Sequence, residues 1–105
     1  MSESPFVVRA GNTAIGTVAL RQWDGGMAVA GGLFCPNPNY NAQEHATELD
    51  GISIPPAAKL SLCWDDGRRL HCEVVTLVDW SREVGEEGRE IAAYGVVDSD
   101  FPEGS

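Results

Sequence analysis

A mostly β fold is predicted by three features of this sequence: short apolar runs, glycine-rich turns between them, and a spacing of roughly ten residues between successive runs. The chain has 105 residues, of which 12 are glycine. This pattern is typical of small antiparallel sandwiches and barrels. The length suits one domain and not two. We therefore expect a single domain over residues 1–105, with six to seven strands and one short surface helix near residues 38–46.

The first third of the chain predicts three strands and a tight hairpin. Phe6–Ala10 and Thr13–Arg21 are apolar or loosely alternating segments separated by Gly11-Asn12, and both predict strands. The hairpin follows at Trp23-Asp24-Gly25-Gly26, because an Asp-Gly pair supplies the positive φ angles that tight turns require. Met27–Phe34 is then the returning strand.

Two glycines and an Asn-Pro pair interrupt the pattern after this hairpin. Gly31 and Gly32 lie inside the returning strand and indicate either a bulge or a close approach by another part of the backbone. Further on, Asn37 followed by Pro38 favours a helix start, with asparagine as the N-cap and proline in the first position. The helix that would follow, over residues 38–46, is polar, so we expect it on the surface.

The second half of the chain contains the clearest hairpin. Lys59–Trp64 is followed by the turn Asp65-Asp66-Gly67 and by a long strand over Arg68–Trp80. A three-residue turn that ends in glycine places Leu62 opposite Leu70. Leu62 and Leu70 would then share the face that packs on the core.

Less regular segments complete the chain. Leu49–Ile54 predicts a short strand that Pro55-Pro56 ends. Residues 81–88 are polar and predict a loop, and Arg89–Val97 predicts the last strand. Residues 98–105 form an acidic tail, which we expect to be mobile.

The cysteines and the N-terminal residues favour a cytoplasmic protein. The three cysteines are Cys35, Cys63 and Cys72, and an odd number is unusual in a small secreted domain. In the predicted hairpin Cys63 and Cys72 lie on opposite faces, where their side chains cannot meet in a disulfide. Residues 1–6 have neither the basic region nor the apolar run of a signal peptide, and no segment has the ~20 apolar residues of a membrane span.

The charge of the chain restricts its partners. Sixteen acidic residues against seven basic ones give a formal net charge of −9. Nucleic acids and anionic membrane surfaces bind clustered lysine and arginine, so we expect neither as a partner. A basic protein would be attracted instead.

The acidic residues are concentrated near the C-terminus. Residues 79–105 contain eight acids and two bases, a net charge of −6. Such a segment either keeps the protein soluble or docks a cationic partner. The candidate interaction residues are Glu83, Glu86, Glu87, Glu90, Asp98 and Asp100.

No catalytic residue, metal ligand or cofactor is predicted. Gly26 and Gly31 have the spacing of a phosphate-binding loop, but Gly32 and Leu33 follow where lysine and a hydroxyl residue are needed. The cysteines and histidines lack zinc-site spacing, and the chain has no nucleophile elbow.

Aromatic residues offer an alternative type of site. Trp23 stands beside a hairpin turn, where an exposed indole would mark a contact point. A cleft near Trp23, Tyr40 or His71 would favour a ligand-binding barrel or sandwich that takes a small apolar or sugar ligand.

Residues 24–40 (DGGMAVAGGLFCPNPNY) resemble a segment of small uncharacterised bacterial β proteins. That segment has an aspartate, then Met-Gly-Val-Ala, then a glycine, a phenylalanine, a proline and a tyrosine. Ala28 stands where those proteins have glycine, and the other positions match at Asp24, Met27, Val29, Ala30, Gly32, Phe34, Pro36 and Tyr40. The resemblance implies a bacterial source and transfers no activity.

Two functions from different classes therefore remain open. The first is a small acidic interaction module of the inhibitor or immunity type, without chemistry of its own, that binds a basic protein. The second is the ligand-binding barrel or sandwich that uses Trp23 and Tyr40. In either case, a free strand edge would permit a homodimer.

Overall fold

One open sheet dominates the computed structural model, which describes residues 5–54 and 59–97. Nine strands lie within these described residues, so the prediction of a mostly β fold is confirmed and the predicted number of six to seven strands was too low. The acidic tail predicted over residues 98–105 lies outside the described residues. The strands are β1 (Phe6–Ala10), β2 (Thr13–Val18), β3 (Gln22–Asp24), β4 (Val29–Pro36), β5 (Glu48–Leu49), β6 (Ile52–Ser53), β7 (Leu60–Cys63), β8 (Val74–Asp79) and β9 (Arg89–Tyr94).

The sheet curls on itself without closing into a barrel. In space the strands follow the order β6-β5-β8-β9-β4-β2-β1-β7, and β3 pairs with β4 beside this path. All described pairs are antiparallel except β5 with β8, which is parallel. The end strand β7 contacts β8, but the two form no strand ladder. The fold is therefore an open curled sheet and not the closed barrel that was one of the two predicted forms.

The structure has more strands than predicted because two predicted segments end early or are split. The predicted strand Thr13–Arg21 ends at Val18, and β3 begins at Gln22 as a separate strand. The predicted segment Leu49–Ile54 is replaced by two strands of two residues each, β5 and β6. Asp50 and Gly51 join them with positive φ angles of 51° and 85°.

Inward-facing side chains of the curled sheet form the core. Along β8 alternate residues are buried, and Ala30 and Phe34 of β4 and Ile91 and Ala93 of β9 are buried as well, as expected for strands with one face on a core. The largest fully buried side chains are Phe34, Ile15, Leu62, Leu70, Leu77, Ile91, Val8, Val18 and Asp79. Asp79 is the only charged member of this set, and its surroundings are described below.

The second predicted hairpin has the expected register but a shorter return strand. Leu70 donates a backbone hydrogen bond of 2.8 Å to Leu62, which confirms that these residues lie opposite each other. Beyond Leu70 the chain leaves β7 and turns toward β9, since Glu73 donates its backbone N–H to Tyr94 over 2.9 Å. The strand predicted over residues 68–80 therefore begins only at Val74.

Cys63 belongs to the core, contrary to the predicted outward face, because β7 is buried along its whole length between β1 and β8. Cys72 is half-buried and Cys35 is exposed, and all three thiols are free. Burial raises the pKa of the Cys72 thiol, and nearby Lys59 opposes this effect.

Two short helices lie in the described residues, where one was predicted. The helix α1 covers Ala42–His45, and Asn41 is its N-cap because the Asn41 side chain accepts a hydrogen bond from the backbone of Gln43. Asn37, the predicted N-cap, instead stabilises a turn: its side-chain oxygen accepts the backbone N–H of Asn39 over 2.8 Å.

The second helix replaces the predicted loop over residues 81–88. The helix α2 covers Ser81–Val84 and continues as a 3-10 turn over Gly85–Gly88. Gly88 permits this arrangement, because a Cβ atom there would lie 2.7 Å from the backbone carbon of Trp80. Glu83, Glu86 and Glu87 therefore lie on a helix and the turn that follows it, and not on an irregular loop.

Candidate functional site

A groove of about 690 Å³ lies on the outer face of the sheet. Its walls and floor come mainly from β3, β4 and β9. Trp23, Leu33 and Cys35 line it together with Glu90. Trp23 is 38% exposed, which answers a question that the sequence left open and places an accessible indole beside the first hairpin turn.

Small side chains at paired positions create the depth of this groove. On β4 and β9, Gly31 pairs with Ala92, and residues directly opposite each other in an antiparallel pair share a face. Gln22 on β3 pairs with Gly31 from the other side. Because glycine and alanine project little or nothing above the sheet, the space over their pair remains open.

The charged groups of the groove have a small negative sum. Arg21, Asp24 and Glu90 line it, which gives a formal charge of −1. One carboxylate oxygen of Asp24 accepts the backbone N–H groups of Gly26 and Met27, at 3.0 and 3.2 Å. Asp24 therefore fixes the hairpin turn next to Trp23, and thereby the position of β3 at the rim.

The acidic residues predicted as an interaction surface are exposed. Glu83 lies on α2, and Glu86 and Glu87 lie on the 3-10 turn that follows. This segment leads directly into β9, where Glu90 is also exposed. Glu90 thus belongs both to the acidic segment and to the groove, whereas Asp98 and Asp100 lie outside the described residues.

Arg82, just before this segment, and Arg89, within it, both lie beside aspartates elsewhere in the fold. The Arg82 guanidinium is 3.7 Å from the carboxylate of Asp50, and the Arg89 guanidinium is 3.6 Å from the carboxylate of Asp79. These contacts place both cations beside carboxylates outside the glutamate set. We define the acidic segment as residues 83–90, whose four glutamates are all exposed.

Tyr40 does not line the groove and is part of a separate buried network. Its hydroxyl donates a hydrogen bond of 2.5 Å to Asp79, and its ring packs edge-on against Phe34 at 5.0 Å between ring centroids. Burial, and after it the hydrogen bond and negative charge of Asp79, raise the pKa of the Tyr40 phenol. Tyr40 therefore has a structural role here that its sequence position did not reveal.

Asp79 is the centre of this buried network. Its carboxylate accepts the backbone N–H of Ser81 at 2.8 Å and the Tyr40 hydroxyl, and Arg89 lies nearby. Burial alone would raise the pKa of the Asp79 carboxyl, but these hydrogen bonds and the Arg89 charge outweigh it and hold the pKa below its usual range. Folding therefore favours the ionised form of Asp79.

His71 is exposed and lies apart from the groove. Its backbone oxygen accepts the N–H of Val97 over 3.0 Å, which ties the segment after β9 to the segment before β8. The structure thus brings only Trp23, of the three predicted ligand residues, to the groove. Among residues 5–54 and 59–97, no three His, Cys, Asp or Glu side chains are arranged to hold a metal ion.

Sequence reasoning did not identify Leu33, Cys35 or Ala92 as parts of a site. Each lies at an outward-facing position of β4 or β9. The only sequence signal for these positions was the alternation of inward and outward residues along the two strands. That alternation assigns them to a surface. It does not show that β3 pairs with β4 beside this face, because this depends on the path of the chain after β2.

Comparison with protein-family models, curated protein sequences and solved structures gives no match to this chain. The resemblance of residues 24–40 to small bacterial β proteins therefore stays a prediction. In the described part of the chain, no helix is both long and apolar enough to cross a membrane.

Proposed function

We propose that this protein is a non-catalytic interaction module of the inhibitor or immunity type that binds a basic protein through its acidic segment. The observation that carries this proposal is the placement of four exposed glutamates on one continuous piece of structure, α2, the 3-10 turn and the start of β9. The segment contains four glutamates and one arginine, Arg89, which lies beside Asp79, so it presents net negative charge. The net charge of −9 reinforces its field.

The electrostatic character of this surface determines how binding should behave. Complementary charges speed diffusional encounter and lose effect as salt screens them, with a Debye length of about 8 Å at physiological ionic strength. Association with a basic protein should therefore be fast at low salt and should slow as salt is added. A small ligand held by apolar contacts would show little of this dependence.

The groove beside Trp23 gives the ligand-binding alternative one supporting observation. However, that alternative also assigned a role to Tyr40, whose hydroxyl is bound to Asp79 and which does not line the groove. We therefore assign the groove to the same interaction surface, because Glu90 belongs to both.

Reversal of two charges on the acidic segment tests the proposal. A fluorescent hepta-lysine peptide should bind to the E86K/E87K variant about tenfold more weakly than it binds to the wild type at low salt, because two attractive groups become repulsive. Fluorescence anisotropy at low and physiological salt measures the affinity and its salt dependence. Both positions are exposed, so the fold should persist.

The matched control is E44K/D65K, which changes the net charge equally at two exposed positions on other elements. If the peptide simply responds to net charge, both double variants will weaken binding equally, and the acidic segment loses its special role. A hepta-lysine peptide that fails to bind the wild type even at low salt contradicts the proposal as a whole.

A further inference from the structure

The outward face of β8, β9 and β4 is an apolar surface for most of its area. Aligned positions across the three strands form rows, and the middle row is Thr76, Ala92 and Gly31. The flanking rows are Val74-Tyr94-Val29 and Val78-Glu90-Leu33. Glu90 is the only charged residue among these nine.

Several of these side chains are exposed to a degree unusual for apolar residues on a sheet. Val74 is 48% exposed, Tyr94 is 42% exposed and Leu33 is 50% exposed. Contiguous exposed apolar surface on a soluble protein commonly marks an interaction site. The groove runs over Leu33, Gly31 and Ala92 of this face, with Trp23 at its side.

We propose that this groove binds an extended segment of the basic partner, whose apolar side chains pack over Ala92 and Leu33 and whose lysine or arginine side chains face Glu90 and Asp24. This inference rests on the proposed function, since it specifies how the same partner is recognised. The acidic segment then attracts the partner, and the groove holds it in one register.

The charges of the described surface favour a cationic occupant. The groove has a formal charge of −1, and the chain continues from Glu90 back into Glu87 and Glu86 of the acidic segment. A cationic segment lying along β9 would therefore meet carboxylates in the groove and beyond its end. Arg21 also lines the groove. Because its positive charge would repel a lysine or arginine placed beside it, the occupant should not be basic at every position.

The size of the apolar face favours a segment over a second copy of this chain. Three neighbouring strands and three rows of alternate residues cover about 15 by 20 Å, or roughly 300 Å². A stable dimer typically buries about 800 Å² on each partner. An extended peptide needs far less surface, because it contacts the sheet with alternate side chains only.

Filling the groove from its floor tests this inference. Ala92→Leu adds a side chain at the centre of the outer face, on a half-buried position that does not contribute to the core. The matched control is Thr76→Leu, because Thr76 is the direct neighbour of Ala92 in the same row and does not line the groove. Urea unfolding of both variants verifies that they fold.

Two peptides of equal charge report on the groove separately from the acidic segment. Both alternate lysine with a second residue over seven positions, which is leucine in one and serine in the other. On the wild type we expect the leucine peptide to bind about tenfold more tightly, because each leucine buries apolar area that serine lacks. Ala92→Leu should remove this advantage and Thr76→Leu should preserve it.

A second variant tests the groove inference without changing Ala92 on the floor of the groove. Leu33→Lys places a positive charge at a half-exposed position beside Glu90, and it should repel the leucine peptide. Ile52→Lys is the control, since Ile52 is 67% exposed and lies on β6, away from the groove lining.

The outcomes separate the two proposals. If the serine and leucine peptides bind equally, and both are weakened by E86K/E87K, the groove inference is overturned and the proposed function stands. If only the leucine peptide binds, and salt has no effect on it, the groove binds an apolar ligand and both charge arguments fail. If the wild type sediments as a dimer that Ala92→Leu dissociates, the occupant is a second copy and the inference is wrong.

Discussion

Replacement of Asp79 by alanine is expected to lower the free energy of unfolding by about 3–5 kcal/mol, a typical cost of removing one partner from a buried charged pair. Asp79 is 1% exposed and accepts hydrogen bonds from the Tyr40 hydroxyl and the Ser81 backbone. Alanine would leave these two donors without their acceptor and the Arg89 guanidinium, 3.6 Å away, without its counter-charge. Urea unfolding followed by tryptophan fluorescence measures the loss.

A milder substitution measures what the Tyr40 hydrogen bond contributes to this network. Tyr40→Phe removes only the phenolic donor, and we expect a loss of about 1–3 kcal/mol because a buried carboxylate then lacks one hydrogen bond. Asp66→Asn is the matched control: Asp66 also lies beside an arginine, 2.9 Å from Arg68, but at an exposed turn. Exposed ion pairs contribute little, so this variant should be nearly as stable as the wild type.

The same network makes a pH-dependent prediction. The pKa of Asp79 in the folded protein lies below its usual range, so the ionised form is favoured by folding. The resulting stabilisation is fully present above the unfolded pKa of about 3.9 and is lost as the pH falls through the lower, folded pKa. The difference in stability between the wild type and Asp79→Asn should therefore be largest near neutral pH and should shrink in acid. A difference that does not change with pH would show that the Asp79 charge contributes nothing.

Local sequence signals predicted where the two hairpins reverse, but not how the first one turns. After Trp23 the chain reverses through residues 25–28, where Ala28 has a positive φ angle of 54° and the two predicted glycines do not. The Asp65-Asp66-Gly67 turn forms as predicted, with Gly67 at a φ angle of 93°. Val75, Leu77 and Asp79 are the inward residues of β8, whereas Val74, which the second hairpin was predicted to place on the core face, is 48% exposed.

Other features depend on contacts between distant parts of the chain. The Arg68–Trp80 segment was predicted as one strand, yet its first part turns toward Tyr94 because β9 supplies a backbone acceptor there. Tyr40 was assigned to a ligand site because its position in the sequence gives no sign of Asp79, 39 residues later. The groove was likewise unpredictable in outline, because it requires β3 and β9 to flank β4 on opposite edges.

Gly32 is the residue at which a sequence signal and the tertiary structure agree most closely. Two glycines in a predicted strand indicated either a bulge or a close approach by other backbone. The structure shows a close approach at Gly32: a Cβ atom there would lie 2.0 Å from the carbonyl oxygen of Ala19. Ala19 belongs to the segment that joins β2 and β3, both of which pair with β4, so this contact fixes the path of the chain along β4 before it forms the rim of the groove.

Gly32→Ala is therefore expected to destabilise the protein by at least about 3 kcal/mol, at the upper end of the usual cost of overpacking, because backbone and not a flexible side chain must move. Gly31→Ala is the ideal control. At that position the nearest atom to a new Cβ is the Ile91 oxygen at 3.3 Å, so a small shift accommodates it. Both substitutions restrict the unfolded chain equally, and Gly31→Ala should change stability by no more than about 1 kcal/mol.

The comparison of these two neighbours separates the contact between Ala19 and Gly32 from the general effects of replacing a glycine in a strand. Urea midpoints at a constant m-value would give the difference directly. Equal midpoints would mean that Ala19 does not lie against Gly32. In that case β3 would lose its anchor and the wall of the groove that contains Trp23 would be misplaced. A large difference supports the path of the chain on which both the groove and its proposed occupant depend.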